Sequence, residues 1–239
     1  MRIHIIQHEF FEAPGAYLQW AKERHHSISY SKVYLDEQMP ISVENFDMLL
    51  VMGGPQSLHT NKEECPYFDF EEEVKLIQLC IKKSKYVIGV CLGAQLIGKA
   101  YGYDAERSPE KEIGNFPIYL NQDGMNDRNL AHFGKRLIVG HWHNDMPGLS
   151  EECRILATSE GCPRQIISYD PKVYGFQCHM EFTKESIQLL IDSEEDLQKK
   201  HTSNRFVQNS VELFSYDYSE MNKQLFQFLD NLVMNEKSL

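Results

Sequence analysis

Gly89-Val90-Cys91-Leu92-Gly93 sets a thiol between two glycines where an apolar run gives way to a helical one. Lys85–Val90 has the short, β-rich character of a buried parallel strand, and Leu92–Tyr101 has helical composition closed by Gly102. A chain that passes from strand to helix through one residue is committed to an α/β fold. That residue is held at the carboxyl edge of the sheet, and small neighbours let the chain turn so tightly. The elbow also accounts for reactivity. A free thiol titrates at about 8.5, and the positive end of a helix favours its anion. The N–H of Leu92 is placed to meet a carbonyl oxygen as it becomes negative. Taken alone, the same residues fit a buried structural cysteine better than a nucleophile, so other segments must decide.

Two segments bear on that choice. Tyr174–Phe182 reads as a strand ending in His179-Met180-Glu181. Alternation puts His179 and Glu181 on the same side, where the imidazole can shuttle the thiol proton and the carboxylate can fix the imidazole's tautomer. Met48–Met52 is an apolar strand running into Gly53-Gly54-Pro55. Without side chains, Gly53 and Gly54 allow backbone amides to approach a substrate, which suits the second donor of an oxyanion hole.

Gly53-Gly54-Pro55, Gly89-Val90-Cys91-Leu92-Gly93-Ala94-Gln95 and Gly175-Phe176-Gln177-Cys178-His179-Met180-Glu181 together resemble the class I glutamine amidotransferases. The match is to stand-alone members similar to the glutaminase domain of GMP synthetase, and it runs from about residue 2 to residue 182. Further echoes are His8-Glu9, Glu12-Ala13-Pro14-Gly15, Lys111-Glu112-Ile113-Gly114 and Gly140-His141-Trp142-His143-Asn144-Asp145. The resemblance implies Cys91 as nucleophile, His179 as general acid/base and Glu181 as its orienting carboxylate. It implies Gly54 and Leu92 as oxyanion donors, Gly53 as a loop-shaping residue, Gln95 as a substrate contact, and His141, Trp142 and His143 as residues near the bound glutamine. One departure is that Cys178 and Met180 stand where the family carries Phe and Pro around its histidine. The His-to-Glu spacing is kept, and alternation turns Cys178 to the opposite, core side.

The implied chemistry is hydrolysis of the glutamine side-chain amide through a cysteine-linked glutamyl thioester, with a separate synthetase subunit receiving the ammonia. The runner-up is a γ-glutamyl peptide or amide hydrolase with the same triad, and the third reading is a non-catalytic binding or regulatory protein on this fold. No cofactor is required. A metal is not expected: His141, His143 and Asp145 do not by themselves make the three or four positioned ligands of a zinc site, and thiol chemistry needs none.

Composition narrows the class further. The 239 residues carry 24 basic and 35 acidic side chains, and the resulting charge of −11 opposes nonspecific attraction to nucleic acid or anionic lipid. The six cysteines form no Cys-x-x-Cys pair. No apolar run is long enough to span a membrane, and Met1–His8 reads as a first strand rather than a signal peptide, so a cytoplasmic location is expected.

The pattern predicts an open, mostly parallel, flavodoxin-like sheet with helices on both faces. Strands are expected at Arg2–Gln7, Ile28–Leu35, Met48–Met52, Lys85–Val90, Leu137–Val139, Arg154–Thr158, Gln165–Tyr169 and Val173–Gln177. Helices are expected at Tyr17–His26, Asp69–Ser84 and Leu92–Tyr101. Residues 104–133 read as loops with a short antiparallel excursion. Residues 1–182 form the catalytic domain, and 183–239 a helical extension packed on it. Thr183 caps a helix whose Ile187, Leu190, Ile191 and Leu197 share a face, and Ser219 caps another with Met221, Leu225, Phe228, Leu229 and Leu232. Such stripes serve as core, or as the surface of a homo-oligomer.

Overall fold

The computed structural model describes residues 1–234. Its first half alternates strand and helix as the sequence predicts: β1 (Arg2–Gln7), α1 (Ala16–Glu23), β2 (Ser27–Lys32), β3 (Met48–Val51), α2 (Phe70–Lys82), β4 (Tyr86–Val90) and α3 (Leu92–Ala100). The second strand is shorter than expected. After Lys32 the chain tightens into a single 3-10 turn at Val33–Leu35 that ends on Asp36 at φ 58°.

Period-two alternation sorts the strand side chains into two cores. Ile3, Ile5, Met48, Leu50, Ile88 and Val90 face α1, while Ile6, Leu49, Val51 and Val87 face α2 and α3. With both faces covered, β3 is apolar throughout and buried at every position. Each such side chain contributes about 2 kcal/mol of burial. Asp69 caps α2 by accepting the N–H groups of Glu71 and Glu72.

The stretch read as broken loops is the main correction. It holds a 15-residue strand, β5 (Glu106–Leu120), followed by the short helix α4 (Gln122–Asn126), and β5 pairs antiparallel with an 11-residue β6 (Arg136–Met146). The chain then returns through β7 (Arg154–Thr158), β8 (Ile166–Asp170) and β9 (Val173–Phe176). Strand β9 lies parallel beside β4, so the strand that leads to His179 runs next to the strand that leads to Cys91.

The C-terminal part contains α5 (Lys184–Ser193), α6 (Leu197–Ser203), β10 (Phe206–Val207), α7 (Ser210–Ser215) and α8 (Ser219–Met234). Residues 235–239 lie outside the described residues. The ten strands make one sheet in the order β10-β5-β7-β8-β9-β4-β3-β1-β2, with β6 pairing β5 off that path. Thr183 caps α5 through a reciprocal box with Ser186. Leu197 does not share the α5 face: the helix breaks at the acidic residues Glu194, Glu195 and Asp196, and Leu197 opens α6. The α8 stripe is core, with Met221, Leu225, Phe228, Leu229 and Leu232 all buried. Phe228 meets the rings of Tyr174 and Phe176 edge-on, and Asp230 accepts from Trp20 of α1 and from Arg24 at the C-terminal cap of that helix.

Candidate active site

Cys91 leaves β4 at φ 51°, ψ −106°, a backbone conformation that non-glycine residues rarely adopt. Neighbouring amides hold it there. Its N–H donates to Phe176 O at 2.8 Å, and its carbonyl accepts from Ala94 and Gln95 at 3.0 and 3.2 Å. The glycines flanking the elbow are required by contact: a Cβ on Gly89 would lie 2.3 Å from Gly93 O. The Cys91 Sγ sits 3.7 Å from the carbonyl of Trp142.

The extended chain after β9 brings His179 and Glu181 together. His179 Nδ1 donates to Glu181 Oε1 at 2.6 Å, and the ring stacks on Phe182 with centroids 4.4 Å apart. Two backbone bonds between His179 and Gly140, of 2.8 and 2.9 Å, dock the segment onto β6. Both side chains are almost fully buried. Burial alone would push the imidazole pKa down, yet Glu181 and Cys91 outweigh it and hold His179 well above its usual value. Among the described residues its Nε2 makes no hydrogen bond, and it is the ring atom left for exchange with the nearby Cys91 thiol.

Gly54 and Leu92 are adjacent, since a Cβ on Gly54 would stand 3.0 Å from Leu92 Cδ2. Leu92 is the first residue of α3, where the helix supplies no partner for its N–H. Behind the glycine loop, His8 bonds to Gly53 O through Nδ1 and to Glu73 through Nε2, each at 2.9 Å, with His8 and Glu73 both buried. Burial lowers the His8 pKa, but Glu73 and the two hydrogen bonds raise it further, leaving a net increase. A charged pair thus pins the loop.

These elements enclose a cavity of about 400 Å³ lined by Glu12, Gly54, Cys91, Gln95, Trp142 and His143, among others. Gln95 donates to Gln177 Oε1 at 3.2 Å and also borders the cavity. His141 does not line it. Its ring is buried, with Nε2 donating to Phe116 O at 3.2 Å. Cys178 is buried among core side chains on the far side of the strand, and burial pushes its thiol pKa well up. All six cysteines are unpaired.

Several cavity residues had little or no signal in the sequence. Leu190, Ser193, Glu194 and Lys200 bring the α5–α6 segment into the wall, and Lys111 reaches it from an irregularity in β5. Lys111 is pushed down by burial and by Lys200. Glu12 lies in one of the sequence echoes but had no assigned role. Its carboxylate is so close to Gly53 that a Cβ there would come within 2.5 Å of Oε2.

Glu12 yields a pH prediction. Burial is the largest cause lifting its pKa from 4.5 to about 6, with Glu181 adding and His179 opposing. The folded state therefore keeps a proton that the unfolded chain has lost. The stability this gives is full below pH 4.5 and is lost as pH rises through about 6. Above that range, ionised Glu12 costs ~2 kcal/mol. Glu12→Gln should raise the urea midpoint at neutral pH and leave it unchanged below pH 4.5. Equal gains at both pH values would contradict this origin.

The family model for glutamine amidotransferase class-I matches residues 17–191. The chain is 50% identical over 234 residues to the glutamine amidotransferase-like protein YfeJ of Salmonella typhimurium, covering 98% of each. It is 28% identical over 160 residues to one subunit of the glutamine-hydrolyzing GMP synthase of Methanococcus maripaludis, covering 65% of this chain and 81% of that protein. The crystal structure of SMU.1228c superposes with a TM-score of 0.96 at 53% identity, over 98% of this chain and 100% of the other. With the cysteine elbow, the His-Glu pair and the glycine loop gathered on one sheet edge, these likenesses mean that the chain belongs to the class-I glutamine amidotransferase family.

Proposed function

We propose that the protein hydrolyses the side-chain amide of glutamine through a glutamyl thioester on Cys91. The observation that carries this reading is the His179–Glu181 pair, whose free Nε2 is electrostatically coupled to the Cys91 thiol at the cavity. An imidazolium held high in pKa favours the thiolate beside it. The thiolate attacks the δ-carbonyl, and the N–H groups of Gly54 and Leu92 receive the oxyanion. His179 gives its proton to the departing nitrogen, releasing ammonia. It then takes one from water, which attacks the thioester, liberates glutamate and restores the thiol.

The rest of the wall suits a zwitterionic γ-glutamyl head. Lys111 and Lys200 can meet an α-carboxylate, and Glu12, Asp145 and Glu194 an α-ammonium. Gln95, Trp142 and His143 border the space beside the amide. Residues 1–182 act as the catalytic unit, and Leu190, Ser193, Glu194 and Lys200 of the extension complete its cavity. Likeness to the methanogen GMP synthase subunit supports a separate synthetase as recipient of the ammonia. No helix among the described residues is long and apolar enough to cross a membrane. The unpaired cysteines support a cytoplasmic setting.

A γ-glutamyl peptide or amide hydrolase is the second reading, favoured by a cavity of about 400 Å³ with two lysines at its wall. Release of ammonia or amine from glutamine and a set of γ-glutamyl amides separates the two. Hydrolysis of glutamine with ammonia release supports the first reading, and turnover of γ-glutamyl peptides but not glutamine overturns it in favour of the second. Glu181→Gln should lower kcat by roughly 10²–10⁴-fold with little change in KM, because the lost carboxylate orients His179 rather than binding substrate. A change confined to KM would argue against that role.

A further inference from the structure

Behind the Trp142 wall, three buried side chains turn one potential ligand atom each toward a common point. Glu112 Oε2 lies 3.2 Å from His143 Nε2 and 3.6 Å from His141 Nδ1, and the two ring nitrogens are 3.4 Å apart. His141 donates its Nε2 proton to Phe116 O, so its Nδ1 presents a lone pair to a carboxylate oxygen. The Gln165 amide closes one side of the cluster: its Nε2 donates to Glu112 Oε2 at 2.7 Å and to Ser159 Oγ at 3.0 Å, and lies 3.1 Å from His143 Nε2. Among the described residues, Glu112 Oε1, Gln165 Oε1 and His143 Nδ1 are buried atoms without a hydrogen-bond partner.

A cation at the centre of this triangle takes the lone pairs of Glu112 Oε2, His141 Nδ1 and His143 Nε2 together. Tetrahedral zinc with ligands at about 2.0–2.2 Å separates them by about 3.3–3.5 Å, which matches the triangle of Glu112 Oε2, His141 Nδ1 and His143 Nε2. The supports that metal ligands require are also present. Ser159 donates to Glu112 Oε2 at 2.8 Å, and the Phe116 carbonyl fixes the His141 tautomer. Asp145, grouped with the two histidines in the sequence, instead faces Arg107 at 3.5 Å.

We propose that Glu112, His141 and His143 bind one divalent transition-metal ion, zinc by donor type. The ion ties β6 to β5 on both sides of Trp142, whose carbonyl stands over Cys91. It acts as a clamp for the cavity wall and takes no part in the thiol chemistry, so the site stands independently of the proposed amidase activity.

Protein stripped with a chelator and dialysed is titrated with Zn²⁺ and, separately, with Co²⁺. The expected result is saturation at one ion per chain, a raised melting temperature, and visible Co²⁺ absorption of tetrahedral intensity without a thiolate charge-transfer band. Cys91→Ala should bind identically, and Glu112→Gln combined with His143→Gln should lose saturable binding. Absence of saturable binding by the wild-type protein overturns the proposal whatever the variants do. Binding that persists in the double variant, or disappears in Cys91→Ala, overturns it equally by moving the ion elsewhere.

Discussion

Cys91→Ala is expected to abolish amide hydrolysis, lowering kcat by at least ~10⁴-fold while the protein keeps its fold. The side chain is small, 8% exposed and bordered by the cavity, so its removal leaves no large void. What disappears is the atom that carries the acyl group. His179 and the two amides remain and retain some stabilisation of a substrate oxyanion, but water must then attack without covalent help. Alanine carries the same Cβ at the φ of 51° that the elbow imposes on cysteine, so the substitution leaves the backbone strain unchanged. Substrate should therefore still bind to the variant, as isothermal titration would register. Ammonia release by Cys91→Ala at a wild-type rate would remove the thiol from the reaction.

Gly93→Ala is expected to act oppositely, through the fold. A Cβ at this position would lie 2.1 Å from Val51 O, 2.8 Å from its carbonyl carbon and 3.0 Å from its Cβ. The obstruction is the backbone of a strand buried on both faces, so no flexible side chain can yield. Helix α3 must lift from the sheet, taking the elbow with it. The expected loss is about 3 kcal/mol or more, or failure to fold. Gly102→Ala provides the contrast. That residue has φ 95°, but nothing lies within 4 Å of an added Cβ. The cost there is backbone strain alone, about 1 kcal/mol. Denaturant melts that ranked the two variants the other way would contradict the close-packing account.

The contrast between those glycines also shows what a sequence reveals. Gly89 and Gly93 were legible because a strand-to-helix turn is local: its composition changes within a few residues, and the requirement for small flanks follows. His179 and Glu181 were legible because alternation alone puts them side by side. The β5–β6 hairpin was not. Pro109 falls in the register shift between Arg107 and Glu112, and Pro117 where β5 is laddered to β6 alone, between its short pairings with β10 and β7. A strand tolerates proline at such places, but the sequence does not mark them as such. The partnership of Glu112 with His141 and His143 was hidden for a related reason, since only the hairpin register brings them together. The wall formed by α5 and α6 depends on how the C-terminal helices dock, and an apolar stripe such as Ile187, Leu190 and Ile191 says that a helix packs without saying against what. The α8 stripe illustrates this, for it covers Tyr174 and Phe176 of the same chain.

The central claim is that the Cys91 thiol carries a glutamyl group during turnover. Rapid acid quench of the wild-type protein with glutamine, followed by intact-mass measurement and peptide mapping, tests it most directly. The expected result is a glutamyl adduct confined to Cys91, formed as fast as ammonia appears and absent from Cys91→Ala. Ammonia released while Cys91 stays unmodified, or an adduct on another residue, would contradict it.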